Sequence, residues 1–94
     1  KNWAGSNTTV RCFKENGITT EVNVLLHGHC IAWFDTASND FNISSCGWET
    51  VTTKSRLNAL LEEFRDGARV VQKNFDWFLH DMGTVKPFVD GMTV

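Results

Sequence analysis

Residues 8–26, TTVRCFKENGITTEVNVLL, predict two β-strands joined by a tight turn. Both halves are rich in β-branched and apolar residues, which favour strands. Between them, Asn16-Gly17 supplies the two positive φ angles that a type I′ hairpin turn requires. In the second half, Thr20, Val22, Val24 and Leu26 share one face, and the other face is mostly polar. We therefore expect the even-numbered face of this strand to lie on the core.

Two further strands are expected after the hairpin. Residues 30–34 form a continuous apolar run, which is typical of a buried strand, and residues 36–40 have the composition of a turn. Residues 41–45 then supply a short partner strand. Gly28 marks a bend or bulge between the second and third strands.

The apolar spacing changes after Cys46 and predicts an amphipathic helix. Thr52, Thr53 and Ser55 are candidate N-caps. Gly67 and Asn74 interrupt the pattern, so one kinked helix and two short helices both remain open. The apolar residues recur three and four apart, at Leu57, Leu60, Leu61, Phe64, Ala68, Val71, Phe75 and Phe78.

The end of the chain predicts a last strand or extended arm. Gly83 is placed to end a helix, and residues 84–94 follow it. Pro87 lacks a backbone N–H and therefore favours an edge strand. Together these patterns predict one α+β domain over residues 1–94, with an antiparallel sheet of about four to five strands covered on one face by one or two helices.

The composition argues against nucleic-acid and membrane-spanning functions. The chain has 94 residues, a formal net charge of −2 and nine Lys and Arg residues, none of which are adjacent. No basic stripe is available to follow a phosphate backbone. No apolar stretch approaches the roughly 18 residues needed to span a bilayer. Lys1–Ser6 do not resemble the start of a signal peptide, so a secreted chain would be the mature product.

Two kinds of motif predict a secreted, extracellular protein. Asn7-Thr8-Thr9 and Asn42-Ile43-Ser44 both match the pattern of an N-glycosylation site. Cys12, Cys30 and Cys46 are spaced unlike a metal-binding or redox motif, which favours a disulfide between two of them. All three pairings are open. The third cysteine would be buried as a small apolar side chain or would join a covalent partner chain.

His27 and His29 are candidate metal ligands, because residues two apart on a strand point the same way and imidazoles bind zinc and copper. A site would need further ligands from elsewhere in the fold. The favoured interpretation is two polar histidines near a turn, with no metal and no cofactor.

A hydrolase is the third functional class considered. A small secreted ribonuclease would use histidines such as His27, His29 or His80 with Glu49 and an arginine. The spacing does not favour this chemistry, and the acidic net charge would repel RNA. We therefore predict a non-enzymatic protein without catalytic residues.

Four tryptophans are a high number for a chain of this length. Exposed aromatic residues are frequent at binding interfaces. Trp3 and Trp48 lie in segments with loop composition, and Trp77 lies beside the apolar stripe of the predicted helix. These three tryptophans are the candidate binding residues.

The segment GHCIAWFD, residues 28–35, and Cys46-Gly47 before a predicted helix resemble small secreted killer-toxin-like proteins and effectors of fungi. The resemblance implies a non-enzymatic toxin or effector that binds a protein or a cell surface, and some such proteins work as two-chain assemblies. The alternatives are an extracellular binding module or subunit of a larger glycoprotein, and the small secreted hydrolase.

Overall fold

Residues 7–94 are described by a computed structural model, in which they form eight strands and one helix. Trp3 lies outside the described residues. The elements are β1 (Thr8–Glu15), β2 (Ile18–Leu26), β3 (His29–Asp35), β4 (Asp40–Ile43), α1 (Val51–Phe64), β5 (Ala68–Lys73), β6 (Asp76–Asp81), β7 (Thr84–Pro87) and β8 (Met92–Thr93).

The strands form two antiparallel sheets, which confirms the predicted α+β class. The first sheet has the order β1-β2-β3-β4-β8, and the second has the order β5-β6-β7. A single core joins α1 to both sheets. Its buried members are Val24, Leu26, Ile31, Ala32, Phe41, Ile43, Leu57, Leu60, Leu61, Ala68, Val70, Trp77 and Leu79.

The first hairpin forms as predicted. Glu15 pairs with Ile18 across the turn, and Asn16 and Gly17 have φ angles of 53° and 78°. A second turn of the same kind joins β2 to β3, where His27 and Gly28 have φ angles of 51° and 80°. The bend expected at Gly28 is therefore a two-residue hairpin turn.

The helix is shorter than the apolar spacing predicts and begins earlier. Its N-cap is Thr50, whose Oγ1 accepts a hydrogen bond from the Thr53 backbone N–H at 3.2 Å. The three candidate caps therefore lie inside the helix. Leu57, Leu60 and Leu61 form its buried face. Within residues 7–94, no helix is long and apolar enough to cross a membrane.

The expected continuation of the helix to Phe78 is wrong, because β5 and β6 form a hairpin there. Ala68, Val70, Trp77 and Leu79 are the buried residues of the two strands, and they alternate with more exposed neighbours. This period of two is that of a strand. The apolar residues between α1 and Phe78 are also spaced three and four apart in the sequence. This spacing suggested a helix, but the segment forms β5 and the start of β6.

Turns enforce the change from helix to strand. Gly67 has a φ angle of 97°, and a Cβ atom there would lie 2.5 Å from Met82 Sδ. Asn74 and Phe75, with φ angles of 52° and 70°, join β5 to β6. Gly83 was expected to end a helix, but it closes the β6–β7 turn with a φ angle of 89°. The final strand and the edge position of Pro87 are as predicted, since β7 lies at the edge of the second sheet.

Candidate functional site

The loop from Ser44 to Thr50 leads into α1 and holds Trp48 at the surface. The Trp48 backbone N–H donates to Ser45 O at 2.9 Å, and the Thr50 N–H donates to Trp48 O at 2.9 Å. Cys46 and Gly47 have positive φ angles of 53° and 78°, which turn the chain between these bonds. The indole is consequently fixed to a hydrogen-bonded loop next to the first turn of α1.

Trp48 forms one wall of an open cavity of about 440 Å³, which we call the Trp48 cavity. The β2–β3 turn supplies the opposite wall, and the ring centroids of His29 and Trp48 are 6.0 Å apart. The Trp48 side chain is 58% exposed. The cavity is lined by Leu26, His27, His29, Ile31, Ser45, Trp48, Thr50, Thr52 and Thr53.

The structure brings together three of the candidate residues, His27, His29 and Trp48, from segments far apart in the sequence. The floor contributed by Leu26 and Ile31 was expected only as core. Ser45 and Thr50 were not singled out by the sequence. Thr50 could have been predicted as the N-cap, because threonine is a preferred N-cap residue and Thr50 stands just before the apolar pattern of the helix.

The histidines do not share a strand face, as the metal hypothesis assumed. His27 lies in the β2–β3 turn, and only His29 belongs to β3. Among residues 7–94, no group of three or more His, Cys, Asp or Glu side chains is arranged to hold a metal ion. His80, the third candidate for acid–base chemistry, lies on β6 in the second sheet and does not line the Trp48 cavity.

Trp77 is buried in the core and is 4% exposed, so its side chain is not a surface contact. It packs edge-on against Phe88 at a centroid distance of 5.3 Å. Trp77 is buried because it lies on the inward face of β6. The predicted helix instead placed Trp77 beside the apolar stripe. Of the two candidate tryptophans within residues 7–94, Trp48 is the one that lines a cavity.

The predicted disulfide is wrong, because Cys12, Cys30 and Cys46 are all free. Cys46 Sγ donates to the Cys30 carbonyl oxygen at 2.8 Å, and Cys30 Sγ donates to the Ala32 carbonyl oxygen at 3.4 Å. The Cys46 thiol thus holds the cavity loop to β3, whereas the bond from Cys30 lies within β3. A covalent partner chain joined through a cysteine stays a prediction.

Alkylation is expected to distinguish the cysteines. Burial raises the pKa of the Cys30 thiol, the backbone of Ala32 partly opposes this effect, and the nearby Cys46 thiol adds to it. Cys12 is exposed. Because the thiolate is the reactive form, iodoacetamide at mildly alkaline pH should modify Cys12 several times faster than Cys30. Peptide mass spectrometry measures both rates. Equal rates in the folded chain would contradict the expectation, and equal rates in urea are the control.

The two glycosylation candidates differ in their surroundings. Asn7 lies just before β1 and is exposed. Asn42 lies within β4, and its Nδ2 donates to Gly91 O at 3.0 Å and to Thr93 Oγ1 at 2.8 Å. A glycan on this nitrogen would disturb both bonds, which join β4 to the end of the chain. Glycosylation and secretion stay predictions.

Comparisons with known proteins identify a family. A search of curated proteins and a search of solved structures each returned no match. The family described as Kyanoviridae Gp96 protein matches residues 1–94. The match overturns the resemblance to fungal killer-toxin-like proteins and effectors, because this family is viral and comes from cyanophages. The chain belongs to the Kyanoviridae Gp96 protein family.

Proposed function

We propose that this chain is a non-enzymatic binding protein whose Trp48 cavity receives an apolar or aromatic side chain of a partner protein. The observation that carries the proposal is the convergence of an exposed indole, the His29 ring and a buried apolar floor at one cavity. The toxin and effector activity rested on the fungal resemblance and is not part of the proposal.

The cavity has the size and chemistry of a binding site. Its volume of about 440 Å³ lies in the range of about 300–1,000 Å³ that is common for ligand pockets. Leu26 and Ile31 supply apolar surface, and the hydroxyl groups of Thr50 and Thr52 supply polar groups at the rim. Such a combination favours an apolar group with a few hydrogen-bonding positions around it.

A protein is the favoured occupant because the walls of the cavity are themselves exposed. His27, His29 and Trp48 all retain large solvent contact, so the cavity is a depression in the surface. Val51, at the start of α1, is 76% exposed and adds apolar surface beside the loop. Tryptophan is strongly enriched among the residues that dominate protein–protein binding energy. A partner with a protruding side chain would cover this depression and its rim together.

Binding is tested with partners captured from infected cyanobacterial cells. The wild-type chain, Trp48→Ala and Phe75→Ala are immobilised in equal amounts, and captured proteins are identified by mass spectrometry. Phe75 is a matched control, because it is 90% exposed and lies in the β5–β6 turn. A partner of the cavity should be retained by the wild type and by Phe75→Ala and lost from Trp48→Ala.

The affinity of the purified partner for each variant then shows how much Trp48 contributes to binding. Trp48→Ala should weaken its affinity by about 30-fold or more, because truncation of a central tryptophan typically costs about 2 kcal/mol or more. Trp48→Phe should restore part of the affinity, since it keeps an aromatic face opposite His29. Partners that bind Trp48→Ala as tightly as the wild type would contradict the proposal.

A further inference from the structure

The outer edge of β1 is a second surface suited to binding. β1 is the first strand of the five-stranded sheet, and within residues 7–94 no strand pairs with its outer side. Every residue of β1 after Thr8 is exposed. The strand contains no proline, and its register irregularity at Phe13/Lys14 leaves the extra residue, Thr20, on β2. β1 thus presents a long and regular free edge, which soluble proteins usually cover or interrupt.

The hydrogen bonds to β2 show which groups of β1 face outward. Asn7 O accepts from the His27 N–H at 2.8 Å, and Phe13 O accepts from Thr20 Oγ1 at 3.3 Å. In an antiparallel pair, alternate residues direct their backbone groups to the neighbouring strand. The odd-numbered residues of β1 therefore face β2, and Val10, Cys12 and Lys14 direct their N–H and C=O groups outward.

We propose that this edge pairs antiparallel with β1 of a second copy of the chain, about a two-fold axis through Phe13. In this register Phe13 lies opposite Phe13 of the second copy. Arg11 lies opposite Glu15 of the second copy, and the symmetry creates this pair twice. An axis through Arg11 would instead place two guanidinium groups together. Charge complementarity thus selects both the partner and the register, because opposite charges in cross-strand pairs stabilise a sheet and like charges destabilise it.

An apolar groove beside the same edge gives a second reason for self-association. It lies between α1 and the inward face of β1 and β2, and its volume is about 240 Å³. Val10 and Phe64 in its wall are each 55% exposed. In the proposed register the turn residue Asn16 of the second copy lies opposite Val10, so the second copy lies beside the groove. The groove is lined by Val10, Val22, Val24, Ala59, Leu60, Glu63 and Phe64.

The dimer is measured by sedimentation equilibrium over a range of chain concentrations. The wild type should change from one chain to two as the concentration rises. Arg11→Glu should weaken self-association by about tenfold, because two ion pairs become two like-charge pairs. The double variant Arg11→Glu/Glu15→Arg should restore it, because the same pairs form with their charges exchanged. Arg69→Glu, a matched charge reversal at an exposed position on β5, should have no effect.

Amide hydrogen exchange locates the interface. At concentrations where two chains associate, the N–H groups of Cys12 and Lys14 should become protected, because these two residues pair across the axis, while those of β7 should not change. A wild-type chain that stays single at every concentration would overturn the proposal. A dimer that is equally stable with Arg11→Glu and with Arg69→Glu would also overturn it. None of the changed residues lines the Trp48 cavity, so failure of this proposal is distinct from failure of partner binding there.

Discussion

Replacing Asn58 with alanine is expected to lower the free energy of unfolding by about 2–4 kcal/mol. Asn58 lies on α1 and bonds to the backbone of Val70 on β5. Its Oδ1 accepts from the Val70 N–H at 2.6 Å, and its Nδ2 donates to the Val70 carbonyl oxygen at 3.0 Å. The Asn58 side chain thus makes the two backbone hydrogen bonds that a neighbouring strand would make with Val70. Val70 is 1% exposed, so the variant leaves a buried donor and a buried acceptor without partners.

Gln72→Ala is the matched control for this prediction. Gln72 is also an amide residue that joins β5 to α1, because its Oε1 accepts from Lys54 Nζ at 3.5 Å. That contact is exposed, and its loss should change the free energy of unfolding by no more than about 0.5 kcal/mol. Urea denaturation followed by circular dichroism measures both variants. The explanation fails if the two variants are equally stable, because burial of the hydrogen bond would then not determine how much free energy of unfolding its loss removes.

The parts of the fold that depend on local chemistry were predictable from the sequence. Asn16-Gly17 requires only its own two backbone angles to form a hairpin turn, and the flanking strands contain matching apolar positions. The start of the helix was predicted to within a few residues, because N-cap preferences and apolar spacing are also local features of the sequence. Leu57, Leu60 and Leu61 do form one buried face.

The second sheet could not be predicted because its sequence supports two periodicities. Val71 and Phe78 continue the helical spacing of α1, whereas Val70 and Leu79 alternate as strand residues. The choice between them depends on a contact distant in sequence, the Asn58 amide on Val70. It also depends on Gly67, whose φ angle of 97° is strained for any residue with a side chain. The Asn58 contact has no signature in a local pattern.

The residues of the candidate site could be predicted one by one from the sequence, but their arrangement around one cavity could not. His27, His29 and Trp48 each stood out in the sequence by residue type. Their convergence depends on the position of the β2–β3 turn relative to the loop before α1, and sequence patterns do not specify that position. The cysteines illustrate the same limit, since Cys30 and Cys46 are brought near one another but use their thiols as hydrogen-bond donors.

The loop that carries Trp48 depends on one carboxylate near the end of the chain. Asp90 Oδ1 accepts from the Ser45 backbone N–H at 2.7 Å and from Ser45 Oγ at 2.8 Å. Ser45 is 2% exposed, and its carbonyl oxygen in turn accepts from the Trp48 N–H. Asp90 therefore positions the Trp48 loop without lining the cavity.

Asp90→Ala is expected to lower the free energy of unfolding by about 1.5–3 kcal/mol, because two hydrogen bonds to a charged acceptor are lost at a buried serine. The partner affinity of the Trp48 cavity should fall with it, since the loop loses its attachment. Asp90→Asn keeps a carbonyl oxygen at the Oδ1 position and should lose less of both quantities. Urea denaturation and the chemical shift of the Ser45 amide measure the two variants. If Asp90→Ala matched the wild type in stability while its Ser45 amide shifted, the bond would orient the loop without stabilising the fold, and the stability prediction would be wrong.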